Sequence, residues 1–428
     1  MKKINLFWFS KDLRWHDNHG LKKALETNLP ILPVFNLNNY DNRSDKNSKV
    51  EFILNNIERL NRNSPHNGII HLFAGKSIEA LQTIENHYFV DTIFYNHDYN
   101  LNKPTIDKEL EDYCKLNNIK LLSFKDRVIF EKGEVLKNDN TPYTIFTPYY
   151  KKWLQRFEEL EQPIAPYNYT NNNFTSIPNF KNPTLKDLGF KSSGIAFPSR
   201  KINLDTIKNY HNTRDLAFLQ QGTSKLSVHL SFGTISIREL IKASLPLNDK
   251  FINELVWREF YIMILFFFPH TINKSFKTKY DQLEWDNNEH LFELWKNGKT
   301  GFPFVDAGMR QLKETNYMHN RLRMVTASFL TKELSIDWRW GEQWFEENLL
   351  DYETASNVGG WQWAASCGCD AVPYFRIFNP ELQQKKFDPN NSYITTFIPE
   401  LNTKDYPKPI IDRRIAKDAA MKRYKAIV

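Results

Sequence analysis

The chain has 428 residues, 41% hydrophobic and 25% charged, with a formal net charge of +7 and a pI near 8.9. These values exclude an intrinsically disordered chain and exceed what one ordinary hydrophobic core accommodates, so two domains are expected. The mild positive balance permits a polyanionic partner without requiring one, and only three cysteines exclude a disulfide scaffold and favour a reducing, cytoplasmic setting.

Residues 4–9 form an apolar run behind Met1-Lys2-Lys3, but it stops at Ser10-Lys11-Asp12, too short for a secretory core. The longest apolar stretch, 260–269, falls far below the ~20 residues that cross a bilayer, so no membrane partner is expected. Strand patterns at 4–9, 31–37, 69–73, 92–95 and 120–124 alternate with helical patterns at 21–27, 50–60 and 77–88. That order predicts a doubly wound parallel sheet over residues 1–131. Neither a G-x-G-x-x-G nor a P-loop pattern occurs, so no phosphate site of those kinds is expected in it.

Periodicity then fades. Pro163, Pro166, Pro178, Pro183 and Pro198 punctuate an Asn-rich stretch, which reads as a long linker over 132–203. From 204 to 428 helical patterns dominate and predict a larger, nearly all-α domain. The segment from Thr403 onward carries eight Lys/Arg against three Asp, as solvated helix faces commonly do. Eight of the eleven tryptophans fall between Trp257 and Trp363, a concentration that points to an aromatic-lined site in this domain.

Three segments in that domain carry chemistry: Glu254-Leu255-Val256-Trp257-Arg258-Glu259, Met318-His319-Asn320-Arg321-Leu322-Arg323-Met324 and Asn357-Val358-Gly359-Gly360-Trp361-Gln362-Trp363. On a helix Glu254, Trp257 and Arg258 share one face, as do Asn320 and Arg323, while Arg321 points elsewhere. Together with Phe7-Trp8-Phe9-Ser10-Lys11-Asp12-Leu13-Arg14-Trp15-His16-Asp17-Asn18 at the start, these segments resemble the DNA photolyase/cryptochrome family, most closely its class I cyclobutane pyrimidine dimer photolyases. The resemblance covers essentially the whole chain and is weakest over 135–203.

The resemblance implies non-covalent FAD in the helical domain and light-driven electron transfer to a pyrimidine dimer flipped out of DNA. It assigns Glu254, Trp257, Asn320, Met324 and Trp363 to the lesion and Arg214 and Arg321 to the DNA backbone. The cofactor contacts it implies are Tyr210, Thr223, Ser224, Lys225, Leu226, Ser227, Phe251, Arg258, Asn320, Arg323, Phe345, Asp351, Glu353 and Asn357. Trp361, Trp338 and Trp285 match the tryptophan chain that relays an electron to the flavin.

The residue types suit these roles. Two indoles, Trp257 and Trp363, replace base stacking lost on flipping. A protonated Glu254 donates to a base carbonyl, and burial favours that protonation. Arg323, with Asp351 as its expected counter-ion, stabilises an anionic reduced flavin. Asn357, expected to face flavin N5, cannot titrate and so favours repair over signalling.

Glu353 stands where the family often has Asp, and Phe251 where it often has Trp. Cys367-Gly368-Cys369 replaces common threonines; three cysteines cannot supply four thiolates, so no metal is expected. For a second, antenna chromophore three readings stay open: a deazaflavin, a flavin or an empty site. Folate is disfavoured, because Asn102-Lys103 replaces an Asn-Glu pair and residues 34–60 contain no histidine. The rival readings are a cryptochrome-type photoreceptor, a (6-4) photolyase (whose histidine pair is here His319-Asn320) and a flavin-free helical DNA-binding protein. The partner expected is dimer-containing DNA, and the chain is expected to be a monomer.

Overall fold

The computed structural model describes residues 1–37, 47–64, 67–100, 104–160 and 173–427. Two compact units emerge, and neither is one continuous stretch. The first comprises Met1–Ile129, Leu160–Ile202 and Lys225–Ala243; the second comprises Phe130–Glu159, Asn203–Ser224 and Ser244–Val428. The stretch 132–203 is therefore divided between the units, and Lys225–Ala243 goes with the first unit although it lies beyond 204.

The first unit holds β1 (Lys2–Phe9), β2 (Ile31–Asn36), β3 (His71–Phe73), β4 (Tyr88–Asn96) and β5 (Lys120–Phe124), all parallel, in the order β3-β2-β1-β4-β5. β1 is central, and its residues from Ile4 to Phe9 are buried on both faces, which explains the unbroken apolar run in the sequence. β4 begins earlier than the expected residue 92, because Tyr88, Phe89 and Val90 pair with Lys2, Lys3 and Ile4. The helices His19–Leu25, Ser48–Arg62, Ser77–Glu85 and Lys108–Leu116 connect the strands.

Ligands of such sheets bind beyond the carboxyl ends of the strands where the order reverses, here between β1 and β4. In this chain its own polar side chains fill that place. Asn96, at the end of β4, donates to Asp12 (2.6 Å) and Asn18 (2.8 Å), and Arg14 donates to Asp126 (2.5 Å). Arg238, from Lys225–Ala243, reaches Asp17 (2.9 Å) and Asp126 (2.8 Å). Burial and the neighbouring Asp126 push the Asp12 carboxyl up to about 6. Asp126 is equally buried, but Arg14 and Arg238 outweigh that burial and hold it at about 2. This ionic cluster, with the Leu13 N–H donating to the Phe232 carbonyl and Phe52 packed on Phe232, ties Lys225–Ala243 to the sheet, and nothing in local sequence pattern announces it. Asn102-Lys103, cited above against folate, lies outside the described residues.

The second unit is helical. Its apolar core gathers Trp295, Phe304, Phe329, Trp338, Phe345 and Trp361, with Trp285, Trp340, Trp344 and Trp363 packed around it. One helix, Phe146–Glu158, lies in the stretch read as linker; Phe146, Tyr149 and Trp153 bury its inner face at helical spacing. Isolated among prolines and asparagines, that short stripe was outvoted by the composition around it.

Candidate functional site

The helix Thr354–Ala364 packs against both Asp249–Phe267 and Asn320–Ser328, so the three sequence motifs meet in space. Close approach requires glycine. A methyl on Gly359 would stand 2.2 Å from the Tyr261 ring, whereas one on Gly360 would meet nothing within 4 Å. The helix thus has one face pressed on its neighbour and another facing open space.

Three arginines, two on these helices and Arg214 at the end of the short helix Tyr210–Thr213, each hold a carboxylate. Arg323 donates to both oxygens of Asp351 at 2.9 and 2.8 Å, and its side chain lies 5.4 Å from the Tyr317 ring. Arg258 donates to Glu353 at 2.7 Å, so the longer acid at 353 is used as an ion-pair partner. Arg214 donates to Glu254 at 2.5 Å and lies over the Tyr210 ring, which meets Phe251 edge-on at 5.3 Å. Burial pushes the Glu254 carboxyl up and outweighs the opposing pull of Arg214. Yet its side chain keeps 30% of its surface accessible, and that of Arg323 keeps 26%. Both groups are deep enough to feel desolvation yet remain partly reachable from solvent.

Asn357 donates through Nδ2 to the Glu342 backbone carbonyl (3.1 Å) and carboxyl (2.9 Å). Burial pushes the Glu342 carboxyl up to about 7, with Glu346 adding to it. The expectation that Asn357 withholds protons therefore meets a neighbour that titrates near neutrality. Sequence reasoning missed Glu342; its only signal is its position in the aromatic stretch Trp338-Arg339-Trp340-Gly341-Glu342.

Trp257 stacks face to face on Phe146, with centroids 3.7 Å apart and planes 7° from parallel. One indole face is thus already covered, by a residue from the unanticipated helix. Trp363 is half-buried and stacks loosely on Phe378 at 6.2 Å. Asn320 is exposed, with its amide 4.0 Å from the Met324 sulfur. Arg321 turns away, as its helical position predicts: it donates to Asp215 at 2.6 Å and covers the Phe387 ring at 4.3 Å. Asp215 is a second residue that the sequence did not single out.

Gly222 permits the tight turn before Thr223 and Ser224. A methyl there would come 2.9 Å from Leu219 Cβ, and Thr213 braces the turn by donating to the Gly222 carbonyl at 2.8 Å. The expected run 223–227 is split between the units: Thr223 and Ser224 fall in the second, Lys225, Leu226 and Ser227 in the first, where Leu226 is buried. Lys225 takes a left-handed backbone (φ 53°).

Trp361 and Trp338 are buried and Trp285 is half-buried, all within one apolar cluster. Trp361 meets Phe345 edge-on at 4.9 Å and Trp295 at 6.1 Å. Among the described residues no ring contact joins Trp361 to Trp338 or Trp338 to Trp285. The indole nitrogens of Trp361 and Trp338 have no hydrogen-bond partner. Cys367 and Cys369 are buried, with their thiols pushed up to about 12 by burial. Among the described residues no group of His, Cys, Asp or Glu is arranged to hold a metal ion, and no helix is long and apolar enough to cross a membrane.

A parallel-sheet unit is thus accompanied by a helical unit that gathers guanidinium groups, an amide and aromatic faces, the donor chemistry that suits a flavin dinucleotide: cations for an anionic cofactor, rings for its planes. Residues 251–405 match the family described as the FAD binding domain of DNA photolyase, and residues 5–167 match the DNA photolyase family. The chain belongs to the DNA photolyase family. It is 34% identical to the deoxyribodipyrimidine photo-lyase of Alkalihalophilus pseudofirmus, over 99% of this chain and 98% of that relative. Among solved structures it resembles a class III photolyase from Agrobacterium tumefaciens (TM-score 0.87, 30% identity, 100% of this chain and 98% of that one). It is equally similar to an archaeal photolyase from Sulfolobus tokodaii with two FAD molecules (TM-score 0.86, 30% identity, 99% of each chain).

Proposed function

We propose that this chain repairs cyclobutane pyrimidine dimers in DNA, using light and FAD held in the helical unit. The supporting observation is the convergence of three distant motifs on the helix Thr354–Ala364, with Glu254, Arg258, Arg323 and Asn357 each held by a specific partner. Arg258, Arg323, Asp351, Glu353 and Asn357, with Thr223 and Ser224, are the residues that would hold the cofactor. When bound, FAD supplies the light-driven transfer of an electron to the dimer and its return. The protein's own part is positional: Trp257 and Trp363 stack on the flipped bases, and the protonated Glu254 carboxyl donates a hydrogen bond from its O–H to a base carbonyl. Arg214 and Arg321 meet backbone phosphates. Trp361, Trp338 and Trp285 are proposed as the path by which reducing equivalents reach the cofactor.

The named function of the relatives over nearly their full length supports this reading, and we place the protein in the cytoplasm as a monomer. An archaeal relative is described with two FAD molecules, which is consistent with a second chromophore in this chain, its presence and identity left open. The Glu342 carboxyl behind Asn357 favours one alternative, a photoreceptor, because it offers a proton donor near the flavin. Light-dependent restoration of a dimer-containing oligonucleotide, with dark and (6-4)-lesion controls, decides. Repair in light alone supports the proposal; flavin binding without repair overturns it in favour of the photoreceptor.

A further inference from the structure

Both arginines assigned to DNA phosphates are already occupied within the protein. Arg214 donates to Glu254 at 2.5 Å, and Arg321 donates to Asp215 at 2.6 Å. Asp215 also lies 4.0 Å from the Arg214 guanidinium, so the four groups form one alternating row: Glu254, Arg214, Asp215, Arg321. Their side chains keep 30%, 25%, 37% and 15% of their surface accessible, respectively. The row is reachable from solvent, and no member is sealed in the core.

The position of Glu254 within that row creates a conflict with its assigned task. Arg214 opposes the upward push of burial on this carboxyl, and the ion-paired form is an anion, which accepts hydrogen bonds and donates none. Reading a pyrimidine carbonyl requires the opposite, a protonated carboxyl that donates. A phosphate that draws Arg214 away removes the counter-ion and leaves Glu254 partly desolvated, which costs free energy unless a new partner arrives. A flipped dimer is such a partner; an intact duplex, with its bases stacked, is not.

Resting on the reading that the cavity takes a flipped lesion, we propose that the Arg214–Glu254 ion pair is a latch that makes phosphate engagement by Arg214 conditional on a lesion reaching Glu254. Undamaged duplex must open the pair and leave Glu254 without a partner. Dimer-containing duplex opens it and satisfies both halves, Arg214 on phosphate and Glu254 on the lesion. Glu254 therefore adds to discrimination in two ways, by attraction to the dimer and by withholding Arg214 from other DNA. Asp215 holds Arg321 by the same means, without a lesion contact of its own.

The test is equilibrium binding in the dark to two oligonucleotides of one sequence, undamaged and dimer-containing, for wild type, Glu254→Gln, Arg214→Gln and the double variant. Thermal midpoint and flavin content verify that each variant is folded; Gln is isosteric with Glu, and Arg214 and Glu254 are both part-exposed. The latch predicts that Glu254→Gln raises affinity for undamaged DNA about threefold, as expected for freeing one partly exposed ion-pair partner, while affinity for the dimer falls. In the Arg214→Gln background the gain on undamaged DNA should vanish. A residue that only contacts the lesion would leave undamaged affinity unchanged, and that result overturns the latch. An equal gain with and without Arg214 also overturns it, since it would reflect only the loss of a negative charge near DNA. Wild type binding both oligonucleotides equally would remove the lesion-pocket reading itself. Preserved wild-type preference with an inert Glu254→Gln would remove the latch alone.

Discussion

Gly341 offers a stringent test of the aromatic core around Trp361. A methyl built at this position lies 2.1 Å from Trp361 Cη2, 2.5 Å from Cζ3 and 2.6 Å from Leu330 Cδ2. Carbon atoms settle about 3.5–4.0 Å apart, so the indole edge would have to retreat by roughly 1.4 Å. It has little room, being 2% exposed and flanked by Phe345 and Trp295. Overpacking costs about 1–3 kcal/mol, and this contact belongs at the upper end because two ring atoms and a methyl are hit at once. Replacing a helix-interior glycine returns about 1 kcal/mol, leaving a net loss of about 2 kcal/mol for Gly341→Ala. At about 2–4 °C per kcal/mol for a unit of this size, the midpoint of a dark thermal melt followed by circular dichroism should fall by about 4–8 °C. Trp361→Phe removes Cη2 and Cζ3 and is itself destabilising by leaving a void. In that background only the 2.6 Å approach to Leu330 remains, with a void beside it to relax into, so the same methyl should cost about 1 kcal/mol or less, a coupling of about 1–2 kcal/mol. Equal destabilisation by Gly341→Ala in both backgrounds would refute the assigned contact.

Three further outcomes are expected. Asp351→Asn leaves the Arg323 guanidinium without its bidentate partner; stability should drop by about 3 kcal/mol and flavin should be lost on gel filtration, as followed by melting and by the visible absorbance of the eluted protein. His319 is buried and held at about 4 chiefly by burial, below its unfolded value near 6.5. The unfolded chain therefore takes up the proton first: stability is full above pH ~6.5 and falls by up to about 3 kcal/mol as pH drops towards 4. His319→Asn keeps an N-cap acceptor for Arg321 and should flatten that acid limb in urea titrations; an unchanged limb would contradict the assignment. Trp338→Phe should slow light-driven bleaching of oxidised flavin in the presence of a thiol reductant while leaving dimer repair after chemical reduction intact. Unaltered bleaching kinetics would remove Trp338 from the relay.

Sequence determined what depends on neighbours along the chain. The strands of the parallel sheet and three of the four helices between them, all but Lys108–Leu116, follow from apolar spacing, which the backbone enforces at fixed periods. The asparagine enrichment has a local reason too. Asn18, Asn47, Asn203, Asn248, Asn288 and Asn379 cap helix N-termini through their side chains, and Asn118, Asn140, Asn316 and Asn391 take left-handed backbone. Side-chain direction on one helix was legible for the same reason, as with Arg323 and Arg321 turning to different partners.

Tertiary structure alone decided who meets whom across long separations. Nothing near Glu254 in sequence announces Arg214, forty residues earlier, and nothing near Trp257 announces Phe146. Glu342 became visible only when the turn before Thr354–Ala364 brought it back beneath Asn357. The allegiance of Lys225–Ala243 to the sheet unit rests in part on Arg238 finding Asp17 and Asp126, over 100 residues away. Local pattern reports backbone preference and the side of an element that is apolar. Ion pairs, stacking partners and shifted acidities depend on distance and dielectric, which exist only once the chain has folded.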